Sequence, residues 1–203
     1  MLTIIDYGVG NVLAFANVFT RLNVPFVIAK NAADLVNATK LILPGVGSFD
    51  FAMQTLNQSG MRSELERMVI EKRVPVIGIC VGMQMLADSS EEGQLPGLGW
   101  IKGTVRQFKF EKELNLTMPH MGWNDVTPSV SSPLFNGLEK DSIFYFLHSY
   151  YFDADEVENV LSVSNYGFDF HSSVHKDNIY GVQFHPEKSH SYGHTLLKNF
   201  SEL

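Results

Sequence analysis

The stretch from Val74 to Met85 constrains the fold of this chain more than any other part of the sequence. An apolar, β-branched run ends in Gly78-Ile79-Cys80-Val81-Gly82, and the helix-compatible residues Met83 to Ala87 follow. This pattern predicts a buried strand, a sharp turn and then a helix. Glycines two positions before and two positions after Cys80 give the thiol counterpart of the G-x-S-x-G nucleophile elbow.

Cys80 is the only cysteine among the 203 residues, so the chain cannot form an internal disulfide, which suits a reducing compartment. Glycine tolerates a strained turn, and a helix N-terminus after Cys80 would favour the thiolate. Buried apolar cysteines are common, however. The two glycines by themselves therefore favour a nucleophile only modestly.

The length and composition, with 45% hydrophobic and 18% charged residues, predict one globular, cytoplasmic domain that spans residues 1–203. The net charge is −7 with scattered Lys and Arg, which argues against a nucleic-acid partner. The N-terminus has no basic segment, and the longest uncharged apolar stretch, Val74 to Ala87, is too short to span a membrane.

Strands and helices alternate over residues 1–90, which predicts an α/β fold with a doubly wound, mostly parallel central sheet and helices on both faces. Ligands bind such sheets beyond the carboxyl ends of the strands, so the Gly45-Val46-Gly47 loop and Cys80 are expected on one rim. The predicted strands are Leu2–Asp6, Pro25–Ala29, Lys40–Leu43 and Val74–Ile79. The predicted helices are one with Val12, Phe15, Ala16 and Phe19 on its buried face, Phe51–Leu56 and Met61–Lys72.

The second half of the sequence alternates short β-prone runs with turn signals, which predicts mixed or antiparallel strands added to the same sheet. A last helix is expected from Tyr192 to Phe200, with Leu196 and Leu197 facing the sheet. The predicted strands are Gly99–Phe110, Ile143–Leu147, Val160–Val163 and Ile179–Phe184.

His185 ends the last of these strands and is followed by Pro186 and Glu187. Proline keeps the preceding residue extended, and in an extended chain His185 and Glu187 project to the same side. A carboxylate beside an imidazole fixes its tautomer and stabilises its protonated form. The alternatives are a histidine at a strand end on the surface and a solvated ion pair.

These motifs together resemble the class I glutamine amidotransferases, which carry a G-x-C-x-G elbow and a late H-P-E. The resemblance runs nearly end to end and is strongest to the members that serve as glutaminase subunits in histidine biosynthesis. It rests on Gly78 to Gln84, Gln183 to Glu187, Asp6-Tyr7-Gly8-x-Gly10-Asn11, Pro44 to Gly47, Pro119 to Asn124, His148-Ser149-Tyr150 and Pro186 to Ser189.

The resemblance implies a Cys80–His185–Glu187 triad that hydrolyses glutamine through a γ-glutamyl thioester. It implies an oxyanion hole built from the Val81 N–H and the Gly45-Val46-Gly47 loop. Val46 replaces the second glycine that many relatives carry there, and a β-branched residue restricts which way the peptide points.

For glutamine binding, the resemblance implies roles for Gln84, Ser149 and Tyr150. A solvent-facing helix position is the alternative for Gln84, and a core strand from Tyr145 to Tyr151 is the alternative for the other two. Gly8 and Gly10 lack the third glycine and the acidic partner of a dinucleotide site, so they predict a tight turn. No cofactor and no metal are expected.

The resemblance also implies a heterodimer in which ammonia passes to a (β/α)8-barrel cyclase subunit, because the chain shows no acceptor site of its own. Asn11, Trp123 and Lys188 match positions near that interface; a loop cap, a core tryptophan and a solvated lysine are the alternatives. Other functions stay open: a glutaminase subunit for sugar amidation in surface-glycan synthesis, a free-standing cysteine hydrolase of peptides or γ-glutamyl conjugates, and a non-catalytic binding module on the same fold.

Overall fold

The computed structural model describes residues 1–110, 116–138, 140 and 142–203. Its strands are β1 (Leu2–Ile5), β2 (Phe26–Ala29), β3 (Lys40–Gly45), β4 (Val76–Cys80), β5 (Ser89–Ser90), β6 (Gly103–Gln107), β7 (His120–Asp125), β8 (Thr127–Pro128), β9 (Ile143–His148), β10 (Tyr150–Ala154), β11 (Val160–Asn165), β12 (Asp169–Lys176) and β13 (Ile179–Val182). Its helices are α1 (Val12–Arg21), α2 (Phe49–Gln58), α3 (Arg62–Glu66), α4 (Val81–Gln84) and α5 (His190–Glu202).

A parallel sheet in the order β2–β1–β3–β4–β13 forms the centre of the molecule, and helices flank it. All five residues of β4 are buried, as its apolar sequence predicts for a strand covered on both faces. Gly45 pairs with Cys80, and Val182 pairs with Ile79, so β3, β4 and β13 end at one edge. The predicted doubly wound, mostly parallel sheet and the shared rim are confirmed.

The second half extends this sheet through antiparallel pairing of β12 with β13, and of β10 with β12 and β6. The prediction that every later strand joins the same sheet is wrong for β9. That strand pairs instead with β7 in a separate two-stranded ribbon, with His120 opposite His148 and Trp123 opposite Tyr145. Ser149 separates β9 from β10, so the strand from Tyr145 to Tyr151 that was the alternative prediction is interrupted where the chain passes from the ribbon to the main sheet.

The helices follow the predicted apolar spacing, with differences in length. In α1 the residues Val12, Phe15, Ala16 and Phe19 are buried as predicted, and α5 buries Leu196, Leu197 and Phe200. The predicted helix Met61–Lys72 is α3 followed by a π-helical turn over Arg67–Glu71. None of the helices in the described ranges is long and apolar enough to cross a membrane.

The helix after Cys80 is much shorter than predicted, because α4 has only four residues. A macrodipole needs several aligned peptide units, so α4 gives little support to the expectation that a helix N-terminus favours the Cys80 thiolate. Stabilisation of the thiolate is therefore expected from individual hydrogen-bond donors around the sulfur and not from a helix dipole.

Candidate active site

Cys80 sits at the tip of a strained elbow between β4 and α4, with φ +56° and ψ −112°. A side chain on either flanking glycine would collide with backbone: a Cβ on Gly82 would lie 2.1 Å from the Leu43 carbonyl oxygen, and one on Gly78 would lie 2.4 Å from the Gly82 carbonyl oxygen. The G-x-C-x-G spacing is therefore a steric requirement of this turn.

His185 and Glu187 form a buried pair beside this elbow. His185 Nδ1 lies 2.9 Å from Glu187 Oε1, and their side chains are 5% and 2% exposed, which excludes a solvated ion pair. The predicted geometry was wrong in one respect, since the pair meets across a 3-10 turn, Pro186–Lys188, and not along an extended chain. The second carboxylate oxygen, Glu187 Oε2, is buried with no hydrogen-bond partner among the described residues.

The environment of His185 favours its protonated form. Burial lowers the pKa of His185, but hydrogen bonds to Cys80 and Glu187 outweigh burial and raise it from 6.5 to about 10. The His185 main chain is also anchored, because its N–H donates to the Tyr145 carbonyl of β9 at 2.8 Å and its carbonyl accepts from Ser189 Oγ at 2.6 Å. The site therefore holds an imidazole that favours its protonated form in a fixed position beside the Cys80 sulfur.

A cavity of about 270 Å³ opens above Cys80 and collects most of the residues that the sequence predicts for the site. It is lined by Val46, Gly47, Cys80, Val81, Gln84, Glu92, Pro119, Leu147, His148, Ser149, Tyr150, His185 and Lys188.

The predicted oxyanion residues divide into two groups. Val46, Gly47 and Val81 line the cavity, whereas Gly45 packs against the elbow, where a Cβ would lie 2.2 Å from the Gly82 nitrogen. Gly47 has φ +83°, a Cβ placed on it would make only an ordinary contact with the Phe51 ring at 3.6 Å, and Val46 is 42% exposed. The part of this loop with room to change conformation is therefore the Val46–Gly47 segment.

Gln84 is 3% exposed, so the alternative of a solvent-facing helix position is wrong. Its Nε2 donates to the Tyr150 carbonyl and to Gln183 Oε1, both at 3.1 Å. These two bonds use both of its N–H groups and leave Oε1 as an acceptor. Ser149 and Tyr150 lie at the cavity wall, at the break between β9 and β10.

The sequence did not single out Glu92, which lines the same cavity. Its Oε2 accepts a 2.8 Å hydrogen bond from the Phe49 N–H at the start of α2. The carboxylate is thus fixed at the wall of a cavity that also contains the cation Lys188. Only its place in the loop after β5 would have pointed to Glu92, and that signal is weak in sequence.

The sequence analysis also did not identify a buried pair of histidines beside the cavity. His120 Nδ1 and His148 Nε2 are 2.9 Å apart, and His148 Nδ1 lies 2.8 Å from the Tyr150 carbonyl. That carbonyl can only accept, so His148 carries its proton on Nδ1, and His120 donates to His148. Asn124 Nδ2, 3.2 Å away, donates to the remaining nitrogen of His120.

Two of the three residues predicted near a partner, Trp123 and Lys188, lie around the Tyr145 ring. Trp123 is 45% exposed and stacks on His190 at 5.2 Å, so it is not a core tryptophan. Lys188 is exposed, with Nζ 5.7 Å from the centre of the Tyr145 ring that borders Trp123. Asn11 is exposed but caps α1, since its Oδ1 accepts from the Ala14 N–H at 3.3 Å. Its role as a loop cap is thus evident.

Comparison with known proteins gives consistent matches over the whole chain. The model of the glutamine amidotransferase class-I family matches residues 3–202. The imidazole glycerol phosphate synthase subunit HisH of Bdellovibrio bacteriovorus is 59% identical over 100% of both chains. The subunit of the same name from Leptospira borgpetersenii is 50% identical, again over 100% of both chains.

Solved structures share the fold at low sequence identity. A glutamine amidotransferase crystal structure matches with a TM-score of 0.76 at 19% identity, covering 99% of this chain and 97% of that one. A chain in the structure of PurLQS from Thermotoga maritima matches with a TM-score of 0.71 at 18% identity, covering 98% of this chain and 96% of that one.

Proposed function

Because the chain belongs to the class-I glutamine amidotransferase family, we propose that it is the glutaminase subunit of an imidazole glycerol phosphate synthase. In this role it hydrolyses glutamine to glutamate and ammonia for histidine biosynthesis. The observation that carries the proposal is the buried His185–Glu187 pair, hydrogen-bonded beside Cys80 in its strained elbow. The full-length identity to subunits named HisH supports the choice of acceptor pathway.

The chemistry proceeds in two halves. The Cys80 thiolate attacks the side-chain amide carbon of glutamine, and the carbonyl electron pair moves to the oxygen. His185 gives its proton to the amide nitrogen as ammonia leaves and a thioester forms. His185 then takes a proton from water, which attacks the thioester, and the Cys80 thiolate leaves glutamate.

The oxyanion of each tetrahedral intermediate needs N–H donors that point at it. The Val81 N–H follows directly after the nucleophile, and Val81 lines the cavity. The Val46–Gly47 peptide is the proposed second donor, because both residues line the same cavity. Gly45 contributes by its close packing against Gly82, which places the loop at the elbow.

Recognition of glutamine is assigned to the cavity walls formed by α4, the break between β9 and β10, and the loop after β5. Gln84 presents an acceptor oxygen, because both its N–H groups are already used within the protein. Ser149 and Tyr150 offer main-chain groups at the interrupted strand. Glu92 supplies a fixed negative charge for the substrate's α-ammonium group, and Lys188 supplies a positive charge near the cavity.

Ammonia needs a sealed route to its acceptor, because in neutral water it is protonated and loses its nucleophilicity. We therefore place a (β/α)8-barrel cyclase subunit over the exposed outer face of the β7–β9 ribbon. This face carries Trp123, and Leu147 on the same face also lines the cavity. Lys188 borders it through the Tyr145 ring.

The test is ammonia release from glutamine by the purified chain, alone and with a separately purified cyclase and its nucleotide acceptor. We expect weak hydrolysis alone and strong stimulation in the complex. Full activity without the partner would indicate a free-standing hydrolase. Absence of activity under both conditions would contradict the glutaminase assignment.

A further inference from the structure

Gln183 is a fully buried side chain next to the nucleophile for which the triad mechanism has no use. It follows directly after β13, two residues before His185, and is 0% exposed. Its Nε2 lies 3.7 Å from the Cys80 sulfur. We propose that Gln183 is a further catalytic residue, whose buried side-chain amide donates a hydrogen bond to the Cys80 thiolate.

The orientation of the Gln183 amide follows from its neighbours. The Tyr150 carbonyl can only accept, so the group that Gln84 turns toward it at 3.1 Å must be Nε2. The other N–H of this Nε2 donates to the Gln183 oxygen, also at 3.1 Å. With its oxygen engaged by Gln84, Gln183 must direct its nitrogen at Cys80.

The Tyr150 carbonyl, which determines the orientation of the Gln84 amide, is itself held in place. It accepts a second hydrogen bond, from His148 Nδ1 at 2.8 Å, and His120 donates to the other nitrogen of His148. The hydrogen bonds therefore run without interruption from the β7–β9 ribbon to the nucleophile. Every donor and acceptor along the way has one consistent assignment.

Two neutral groups lie near the Cys80 sulfur, and they favour different protonation states of the thiol. The Leu147 carbonyl oxygen, at 3.9 Å, accepts a hydrogen bond from the thiol form. Gln183 donates to the thiolate form, which accepts hydrogen bonds through its full charge. The charged or titratable groups around the site are His185 and Glu187 from the turn after β13, His148 from β9, and Glu92 and Lys188 at the cavity wall.

The step that Gln183 assists occurs twice in each turnover. The sulfur carries a negative charge before it attacks the amide carbon, and again when it leaves as water cleaves the thioester. In both states a preorganised N–H donor stabilises the charge without any rearrangement. Since α4 is a single turn, Gln183 and His185 replace the helix N-terminus as the sources of this stabilisation.

The experiment measures alkylation of Cys80 by iodoacetamide as a function of pH, which requires neither glutamine nor a partner. Gln183→Met keeps the volume but removes the amide, and Gln183→Asn keeps an amide that is one methylene too short. In both variants we expect the midpoint of the alkylation profile to rise by about one pH unit, a tenfold loss of thiolate below the midpoint. In the assembled enzyme we expect kcat to fall more than KM rises.

Two comparison variants separate this role from a structural one. Gln84→Met removes the donor that orients the Gln183 amide but keeps that amide beside the sulfur, so KM should rise and the alkylation midpoint should shift less than in Gln183→Met. Ser173→Ala removes a buried hydroxyl on β12 that bonds to Ser162 at 2.6 Å, and it controls for general loosening. Circular dichroism checks the fold of each variant.

An unchanged alkylation midpoint in folded Gln183→Met or Gln183→Asn would overturn the proposal and leave Gln183 as a support for Gln84. The proposal deepens the proposed glutaminase function and rests on it for its chemistry, but the two fail separately. A wild-type complex that releases no ammonia would contradict the function, whereas the alkylation profile tests Gln183 in either case.

Discussion

Cys80 holds a backbone conformation that L-residues rarely adopt, and packing of the elbow against β3 maintains it. Gly45 and Gly82 are in close contact, so β3 and the residues after Cys80 fix each other's positions. Strain of this kind persists only where the surroundings over-determine it. The position of the Cys80 sulfur at the cavity is thus built into the central sheet.

Substitutions in the triad should lower ammonia release to different extents. Cys80→Ala and Cys80→Ser should lower kcat by at least about a thousandfold, with the fold intact, because the nucleophile is lost. His185→Asn should cost nearly as much, since triad members act as a unit. Glu187→Gln should cost less, because it removes orientation of His185 and not the proton carrier. Steady-state kinetics in the presence of the cyclase measure these changes.

Two results would contradict these roles. Appreciable ammonia release by Cys80→Ala would exclude Cys80 as the nucleophile. A larger loss for Glu187→Gln than for His185→Asn would mean that the carboxylate does more than orient the imidazole.

The His120–His148 pair should make the stability of the protein sensitive to acid. Burial lowers the pKa of His120 to about 4 and that of His148 to about 3, against 6.5 for an ordinary histidine. Below about pH 6.5 the unfolded chain therefore binds more protons than the folded one. The free energy of unfolding should fall as the pH drops from about 6.5 toward 4, by up to about 1.4 kcal/mol per pH unit for each histidine.

Urea unfolding at a series of pH values checks this prediction. The double variant His120→Gln/His148→Gln should show a shallower decline between about pH 6.5 and 5, where few carboxylates titrate. Other histidines titrate in both proteins, so the difference in slope isolates the pair. Equal slopes would show that the pair is not held neutral in the folded state.

Sequence reasoning found the residues that carry chemistry in local motifs and missed those that act through distant contacts. The spacing around Cys80 and the His-Pro-Glu run were sufficient to predict three neighbouring side chains. Gln183 and His148 were seen only as parts of motifs, because their partners lie far along the chain or on another strand. The bonds of Gln183 to Gln84 and Cys80 become visible only once β4 and β13 are paired.

At the scale of elements, the parallel strands were predictable and the β7–β9 ribbon was not. Buried parallel strands are continuous apolar runs, which sequence reveals directly. β7 contains His120, Gly122 and Asn124, whose polarity hides a strand that buries only one face. β12 includes the buried Ser172 and Ser173, whose hydroxyl groups both hydrogen-bond to the Ser162 hydroxyl. Because serine is a polar residue, the sequence pattern does not identify these positions as part of the core.

The Val46–Gly47 segment is the element in which we expect control of the reaction to lie. Gly45 is fixed against Gly82, so of the two glycines that flank Val46 only Gly47 is free to permit a rotation of the backbone. We propose that the peptide after Val46 turns its N–H toward the oxyanion when the partner binds. One oxyanion donor is worth on the order of a hundred- to a thousandfold in rate.

Val46→Gly should raise ammonia release by the isolated chain and reduce the stimulation by the cyclase. The side chain is 42% exposed, so its removal costs little packing while it widens the backbone choices. Val36→Gly, at an exposed valine that does not line the cavity, is the matched control. Unchanged basal activity with full stimulation would place the control elsewhere.

At the scale of the whole molecule, the β7–β9 ribbon joins the catalytic site to an exposed apolar face. Its inner side buries His120, Phe144, Phe146 and His148, while its outer side leaves Met121, Trp123, Ile143 and Leu147 exposed. Exposed apolar patches of this kind mark interaction sites. The main-chain carbonyl of Tyr145, the residue paired with Trp123, accepts a hydrogen bond from the His185 N–H. The strand β9 therefore contributes both to the exposed apolar face and to the position of the triad histidine.

Trp123→Ala should weaken binding of the cyclase by roughly thirtyfold, because large aromatic side chains at the centre of an interface dominate its energy. Met121→Ala, 65% exposed in the wild type, should weaken binding less. Val157→Ala removes an even more exposed side chain away from the ribbon and should leave the affinity unchanged. The affinity is read from the cyclase concentration that gives half-maximal stimulation of ammonia release, and from calorimetric titration.

Stimulation of Trp123→Ala should recover at saturating cyclase, since this variant removes contact area and leaves the cavity intact. If Trp123→Ala binds as tightly as the wild type while Val157→Ala binds weakly, the cyclase docks on another face, and ammonia must leave the Cys80 cavity by a different route.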